Sequence, residues 1–291
     1  MAAMAKQNSS SLSARFSRWR GWVQTTFLAV WLMPFVKLHN ICGPVFHCYA
    51  CPLSTFACPI GVLANFSAIH VVPFLALGTL IAGGALFGTF FCGWVCPFGW
   101  LQDMLAKIPT PRFRIPHWLG YLRYGVLLGM VFIIPFLYGE GHPLFFCRQC
   151  PAGALEGAIP NVVQLALAHQ PVVWPSVSKI VILALVLSAM LFTQRPWCGV
   201  FCPLGAIYGL CNRVSAVFLR VNQTTCTSCA LCKRTCRYDV VPFESSSDTR
   251  CNRCLECTRC EAITVDSILS RGKTPSAGDA PTAESCDIRK S

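Results

Sequence analysis

Charge is scarce in this chain, and acidic charge is scarcest. Only 12% of the 291 residues are charged, against roughly 25% in an ordinary soluble domain. Residues 1–220 contain three acids, Asp103, Glu140 and Glu156, beside 14 Lys and Arg. There is no G-x-G-x-x-G and no P-loop, so neither a dinucleotide fold nor NTP hydrolysis is supported. In their place stand 54% hydrophobic residues, a mean hydropathy of +0.52 and 20 cysteines. That balance belongs to a membrane protein. It excludes a small disulfide-stapled secreted domain, which carries no long apolar runs. The net charge of +12 sits in short loops between the runs, a pattern that orients a chain in a membrane and does not make a nucleic-acid face.

Four apolar stretches are long enough to cross about 30 Å of hydrocarbon at about 1.5 Å per residue. They run from about Trp22 to Leu38, Ala68 to Phe91, Leu119 to Tyr138 and Val172 to Phe192. Each reads as a transmembrane helix, the first as a retained anchor because no small-residue cleavage site follows it. Lys6, Arg15, Arg18 and Arg20 precede the first stretch, Lys107, Arg112 and Arg114 follow the second, and Arg195, Arg213 and Arg220 follow the fourth. On the other side, residues 39–68 hold no Lys or Arg and residues 139–176 only Arg148. The basic side is cytoplasmic. Both termini then face the cytoplasm of a bacterial inner membrane that the chain crosses several times. Lys37, Arg123 and Lys179 sit near helix ends, where they snorkel to the interface.

The membrane part repeats itself. Cys48-Tyr-Ala-Cys51-Pro52 precedes the second stretch and Cys92-Gly-Trp-Val-Cys96-Pro97 closes it; Cys147-Arg-Gln-Cys150-Pro151 precedes the fourth and Cys198-Gly-Val-Phe-Cys202-Pro203 closes it. Two parallel repeats, 22–118 and 119–220, therefore follow a cytoplasmic segment 1–21. A pseudo-twofold axis along the membrane normal relates them. About that axis Cys48, Cys51, Cys147 and Cys150 form an outer set, and Cys92, Cys96, Cys198 and Cys202 an inner one. Each set is suited to hold an iron-sulfur or other metal centre, or to cycle between dithiol and disulfide. The plainer readings are outer disulfides and inert inner thiols. Cys42, Cys58, Cys211 and Cys286 have no repeat partner or ligand spacing, and Cys58 aligns with Gly157.

After Arg220 the apolar periodicity stops, and residues 221–265 form a separate small domain. Cys226-x2-Cys229-x2-Cys232-x3-Cys236 is the spacing with which bacterial ferredoxins wrap a [4Fe-4S] cluster, three thiolates from one run and the fourth from the other. A second run, Cys251-x2-Cys254-x2-Cys257-x2-Cys260, completes two clusters with exchanged fourth ligands. Cys226, Cys229, Cys232 and Cys260 hold one on this reading, and Cys251, Cys254, Cys257 and Cys236 the other. Arg237 and Glu261 stand where the ferredoxin pattern has proline. Zinc is the alternative, but one zinc takes four thiols and leaves four unexplained. Residues 266–291 have the composition of a flexible tail.

The outer side also gathers titratable groups: His39, His47, His70, His142 and His169 with Glu140 and Glu156. Groups of this kind accept the two protons that a quinol loses with its electrons. Solvated interfacial histidines are the plainer reading.

The paired CxxCP and CxxxCP motifs with a terminal ferredoxin segment resemble the NapH family of quinol-dehydrogenase membrane subunits, related to NosR and MauN, over roughly residues 20–265. The resemblance implies electron transfer between the quinone pool and a periplasmic reductase or dehydrogenase system or its maturation partner. It also implies a further iron-sulfur or cytochrome subunit as partner, and clusters on the cytoplasmic side. The expected architecture is an all-α membrane protein of four transmembrane helices in two parallel repeats, with a small C-terminal ferredoxin-like iron-sulfur domain. A transmembrane thiol-disulfide relay or metal-handling protein supporting maturation of a periplasmic metalloenzyme is the competing expectation.

Overall fold

The computed structural model describes residues 17, 19–29, 58–111, 113–171, 174–223, 226, 230–236, 238, 240–260 and 262–268. Most of the first apolar stretch, the terminal segments, His39, His47, Cys48, Cys51 and Cys229 lie outside the described residues, as does the side chain of Glu156. The chain divides into two compact units, each drawing on both sequence repeats. One gathers Met1–Gln24, Gly83–Cys96 and Ile207–Ser291; the other gathers Thr25–Ala82 and Pro97–Ala206.

In the second unit, the stretch expected from Leu119 is a continuous helical run, His117–Tyr138. Its 22 residues rise about 33 Å, enough to cross hydrocarbon. Leu127–Ile133 within it is wound as a π-helix. Pro135 follows, and a proline ring clashes with the carbonyl four residues back, which a widened turn relieves. The other apolar helices are shorter than their sequences promised. Phe74–Phe87 has 14 residues and Val177–Phe192 has 16, or about 21 and 24 Å. The break before Phe74 has a local cause: His70 adopts a left-handed φ of 57°, and Pro73 pushes the residue before it out of helical geometry. A separate helix, Pro59–Ala68, precedes that break.

The Pro59–Ala68 helix packs on the long run. Ser67 donates to the Phe132 carbonyl at 3.1 Å, and the His70 ring stands edge-on to Phe136 at 4.4 Å. Ile60, Val62, Leu63, Ala64 and Val131 are buried there, each larger aliphatic worth about 1.5–3 kcal/mol. Outward-facing apolar residues remain bare along both longer helices, among them Leu128, Phe136, Leu137, Val177 and Leu185. Arg123 does not snorkel. It is buried, its guanidinium lying over the Tyr124 ring at 5.0 Å.

Three CP pairs place their prolines alike. Pro97, Pro151 and Pro203 each begin a helix, a position where the missing N–H costs nothing. Cys150 and Cys202, just before proline, are accordingly extended, with ψ of 117° and 114°. The Pro97–Leu105 helix carries Asp103, which receives a two-pronged contact from Arg195, Nε to Oδ1 at 2.8 Å and Nη2 to Oδ2. Arg195 is 2% exposed.

The first unit contains the two strands that sequence periodicity did not resolve. β1 (Val217–Val221) pairs antiparallel with β2 (Ile263–Ser267), Leu219 opposite Val265. The strands close the cysteine-rich segment at its two ends. Leu219 and Ile263 turn inward with Cys232, Leu255 and, from the first repeat, Trp94.

Replacing Asp103 by Asn leaves the Arg195 charge buried without its counter-ion. This is expected to cost about 3–5 kcal/mol, whereas replacing both partners by apolar residues costs less. Thermal unfolding of the three proteins in detergent checks the order.

Candidate functional site

The two cysteine runs are built alike. In the first, Ala230 at φ 57° opens the one-turn helix Leu231–Thr235, which ends at Cys236 in extended backbone, φ −73° and ψ 121°. In the second, Leu255 at φ 62° opens the turn Glu256–Arg259, which ends at Cys260 with φ −79° and ψ 124°. The first turn is α and the second 3₁₀. Spacing explains the difference, since Cys232-x3-Cys236 suits about 3.6 residues per turn and Cys257-x2-Cys260 suits about 3.0. The residue missing from the second run is absorbed by tighter winding. The last cysteine still arrives in the same conformation.

The thiols crowd. Burial pushes Cys251 up to about 12, and the charges of Cys254 and Cys236 add to this, opposed by a hydrogen bond from the Arg253 backbone N–H and by the Arg253 charge. Cys257 is raised well above the usual thiol range by burial, then by Cys254, Cys251, Cys236 and Cys232. The thiols acting on Cys257 therefore come from its own run, Cys251 and Cys254, and from the first run, Cys236 and Cys232. Cys226 and Cys260 lie just inside the strands. Among the described residues, no three His, Cys, Asp or Glu converge on a single metal-ion position. Buried thiols that resist ionising singly suit a polynuclear cationic core, because ligation demands thiolates and the metal charge stabilises them. The donor set fits an iron-sulfur cluster.

Residues far off in sequence seat the second run. The Cys251 carbonyl accepts from the Thr89 hydroxyl at 2.6 Å and from Asn212 Nδ2 at 2.8 Å, while the Thr89 N–H donates to Asn212 Oδ1 at 3.1 Å. Trp94 Nε1 donates to the Arg253 carbonyl at 3.2 Å. Arg20 bridges the Gly93 carbonyl at 2.9 Å and Glu256 at 3.2 Å, and Gln24 also donates to Gly93 at 2.8 Å. The close approach needs glycine: a Cβ on Gly93 would stand 2.5 Å from the Asn252 carbonyl oxygen. Gly88, at φ 56°, would bring one within 2.6 Å of Asn212 Oδ1. Cysteine spacing alone did not reveal this seat. The signal was a Cys-Asn-Arg-Cys run with two strongly polar residues between its thiols.

The membrane-edge cysteines separate by unit. Cys92 and Cys96 belong to the first, where Cys92 neighbours Tyr208. Cys198 and Cys202 belong to the second, where Gln102 Nε2 donates to Cys198 Sγ at 3.0 Å. Of the outer set, Cys147 and Cys150 come together with Cys58, the cysteine that spacing left unassigned. Both thiols lie over Gly61, whose Cβ position is 3.5 Å from Cys58 Sγ and 3.6 Å from Cys147 Sγ. Burial, Cys58 and Cys150 push the Cys147 thiol up to about 12, and the Lys179 charge opposes them. Lys179 thus acts on the thiols and is not merely a snorkelling cation. His70, His169 and Glu140 are exposed; the His142 ring lies tilted against Tyr138 at 4.9 Å, its Nδ1 accepting from the Leu144 N–H at 3.2 Å. These groups are not gathered at one described point.

A family model described as a 4Fe-4S binding domain matches residues 69–116 and 176–222, each stretch holding one CxxxC pair. An uncharacterized protein of Methanocaldococcus jannaschii is 28% identical over 233 residues, 76% of this chain and 90% of that protein. The methylamine utilization ferredoxin-type protein MauN of Methylobacillus flagellatus is 30% identical over 185 residues, 61% of this chain and 59% of its own length. The ferredoxin-type protein NapH of Haemophilus influenzae is 24% identical over 275 residues, 88% of each. Coverage of several relatives, MauN among them, therefore stays below two thirds of their length. No solved structure matches.

Gly93→Ala is expected to displace residues 251–254 and lower the iron retained per chain, because the obstacle is backbone. Gly21→Ala, whose Cβ meets nothing within 4 Å, leaves iron unchanged. Iron analysis of the two variants separates the seat from a general intolerance of alanine.

Proposed function

The chain belongs to the ferredoxin-type family of NapH, NosR and MauN, and from that membership we propose that it oxidises quinol in a bacterial inner membrane and hands the electrons to a periplasmic redox enzyme system. The observation that carries it is the pair of like-built cysteine runs, with Cys236 drawn in among Cys251, Cys254 and Cys257.

On this reading Cys251, Cys254, Cys257 and Cys236 bind one [4Fe-4S] cluster, and Cys226, Cys229, Cys232 and Cys260 a second. When bound, such a cluster supplies a one-electron carrier with a potential set by charge, hydrogen bonding and exposure. The protein's part is to hold it. Thr89, Asn212 and Trp94 fix the backbone of the second run, and Trp94 and Leu255 exclude water beneath it. Four membrane spans carry this domain on the cytoplasmic side. The bare apolar residues of the two longer helices favour that assignment, since such surface is costly in water and free in hydrocarbon. His39, His47, His70, His142, His169 and Glu140 are the candidate acceptors for the two quinol protons. The inner thiols Cys92, Cys96, Cys198 and Cys202 are assigned as further redox or metal-binding groups. A separate iron-sulfur or cytochrome subunit receives the electrons.

One observation favours a second reading, a thiol-disulfide relay: Cys58, Cys147 and Cys150 meet beside Lys179, away from the ferredoxin segment. Reductant-dependent alkylation of Cys147 and Cys150 marks a relay, and protection in both states marks a metal centre.

Anaerobic liposomes containing the protein, mixed with a benzoquinol or a naphthoquinol and followed by EPR, test the main reading. Signals of reduced clusters are expected to grow with one of them. Clusters that dithionite reduces but neither quinol does would overturn it.

A further inference from the structure

Arg253 lies between Cys251 and Cys254 and is 3% exposed. Its guanidinium donates to three carbonyls: Phe87 at 3.1 Å, Asn212 at 3.0 Å, and Val217. Phe87 ends the Phe74–Phe87 helix and Asn212 follows the end of the Pro203–Cys211 helix, so the charge caps the negative ends of two helix dipoles. Partial charges of about half a unit each at two helix ends soften the burial of a cation and do not supply a counter-ion. Among the described residues no carboxylate pairs with Arg253, in contrast to Arg20, Arg195, Arg220 and Arg250, which meet Glu256, Asp103, Asp266 and Asp248. Its backbone is strained as well. A φ of 47° is unfavourable for a non-glycine residue, and outliers of this kind persist where the surrounding structure over-determines them.

A buried, strained arginine that meets only carbonyls among the described residues needs an anion, and the thiol its charge acts on is the neighbouring Cys251. We propose that Arg253 is the built-in counter-ion of the centre held by Cys251, Cys254, Cys257 and Cys236, a positioning residue that fixes the run on two helix ends and raises that centre's reduction potential. The inference rests on the cluster assignment above and goes beyond it. Guanidinium keeps its proton at every accessible pH, so the charge is constant. One electron from dithionite adds one negative charge to the thiolate-bound centre, and a fixed neighbouring cation favours that added charge. It therefore raises this centre's potential above what a neutral side chain gives. The centre of the other run, whose Cys226 and Cys229 lie elsewhere in sequence, lacks this residue.

The experiment is an anaerobic EPR-monitored dithionite titration of the full-length protein in detergent, as wild type, Arg253→Gln and Arg253→Lys, with iron measured in each. The expected result is a shift of one of two signals to more negative potential in Arg253→Gln, the other unmoved, and a smaller shift in Arg253→Lys, which keeps charge without the fork. Loss of one centre in Arg253→Gln with retention in Arg253→Lys supports the same conclusion. Unchanged potentials in Arg253→Gln, or equal shifts or equal losses in both variants, overturn it. A wild-type chain without iron overturns the cluster assignment and this inference together; iron present with Arg253→Gln unshifted overturns the inference alone.

Discussion

The first unit depends on a backbone meeting a backbone. The chain turns at Gly88 and Gly93 closely enough for residues 251–254 to lie against it, and the Cys251 carbonyl is held there by Thr89 and Asn212. A buried carbonyl left unpaired costs about 1–3 kcal/mol, so the paired acceptance fixes the run firmly. Trp94 then serves twice. Its indole N–H holds the Arg253 carbonyl, and its ring stacks on Phe90 at 5.1 Å within the core that includes Leu219, Leu255 and Ile263. The cysteine-rich segment is thereby part of one compact unit with pieces of both sequence repeats. Residues read from sequence as a membrane-edge thiol motif are also the seat for the second cysteine run.

Buried arginines mark the two units in contrasting ways. Arg195 spends its fork on Asp103, one of three acids in the first 220 residues, and that pair ties the last turn of the Pro97–Leu105 helix to the turn that follows Val177–Phe192. Arg253 spends its fork on carbonyls and leaves its charge available to the neighbouring thiols. The same side chain thus acts as a structural clamp in one unit and as a source of field in the other. Charge is rare in this sequence, and where it is buried it has identifiable work.

Much of the chemistry was legible in spacing. Ligand runs announce themselves because a four-iron cluster constrains three thiolates to one short loop. The tighter 3₁₀ turn at Glu256–Arg259 was implicit in the single missing residue. Helix boundaries were less legible. Hydropathy sums residues without regard to His70 turning left-handed or Pro73 breaking geometry, so of the three stretches that the described residues cover, one, His117–Tyr138, emerges at full spanning length. The strands were hidden because five residues of mixed pattern carry little periodic signal. Cys58 was missed because it has no repeat partner, and proximity to Cys147 depends on how the Pro59–Ala68 helix packs. Asp103 was passed over, although an acid in so acid-poor a region was itself the available sign.

The account stands on what the cysteine runs bind. The most direct measurement is iron and acid-labile sulfide per chain in protein purified without oxygen. About eight irons with matching sulfide is the expected result for two four-iron clusters, and a larger number would add centres at the membrane-edge thiols. Zinc in place of iron, or protein folded with its thiols free of metal, would contradict it.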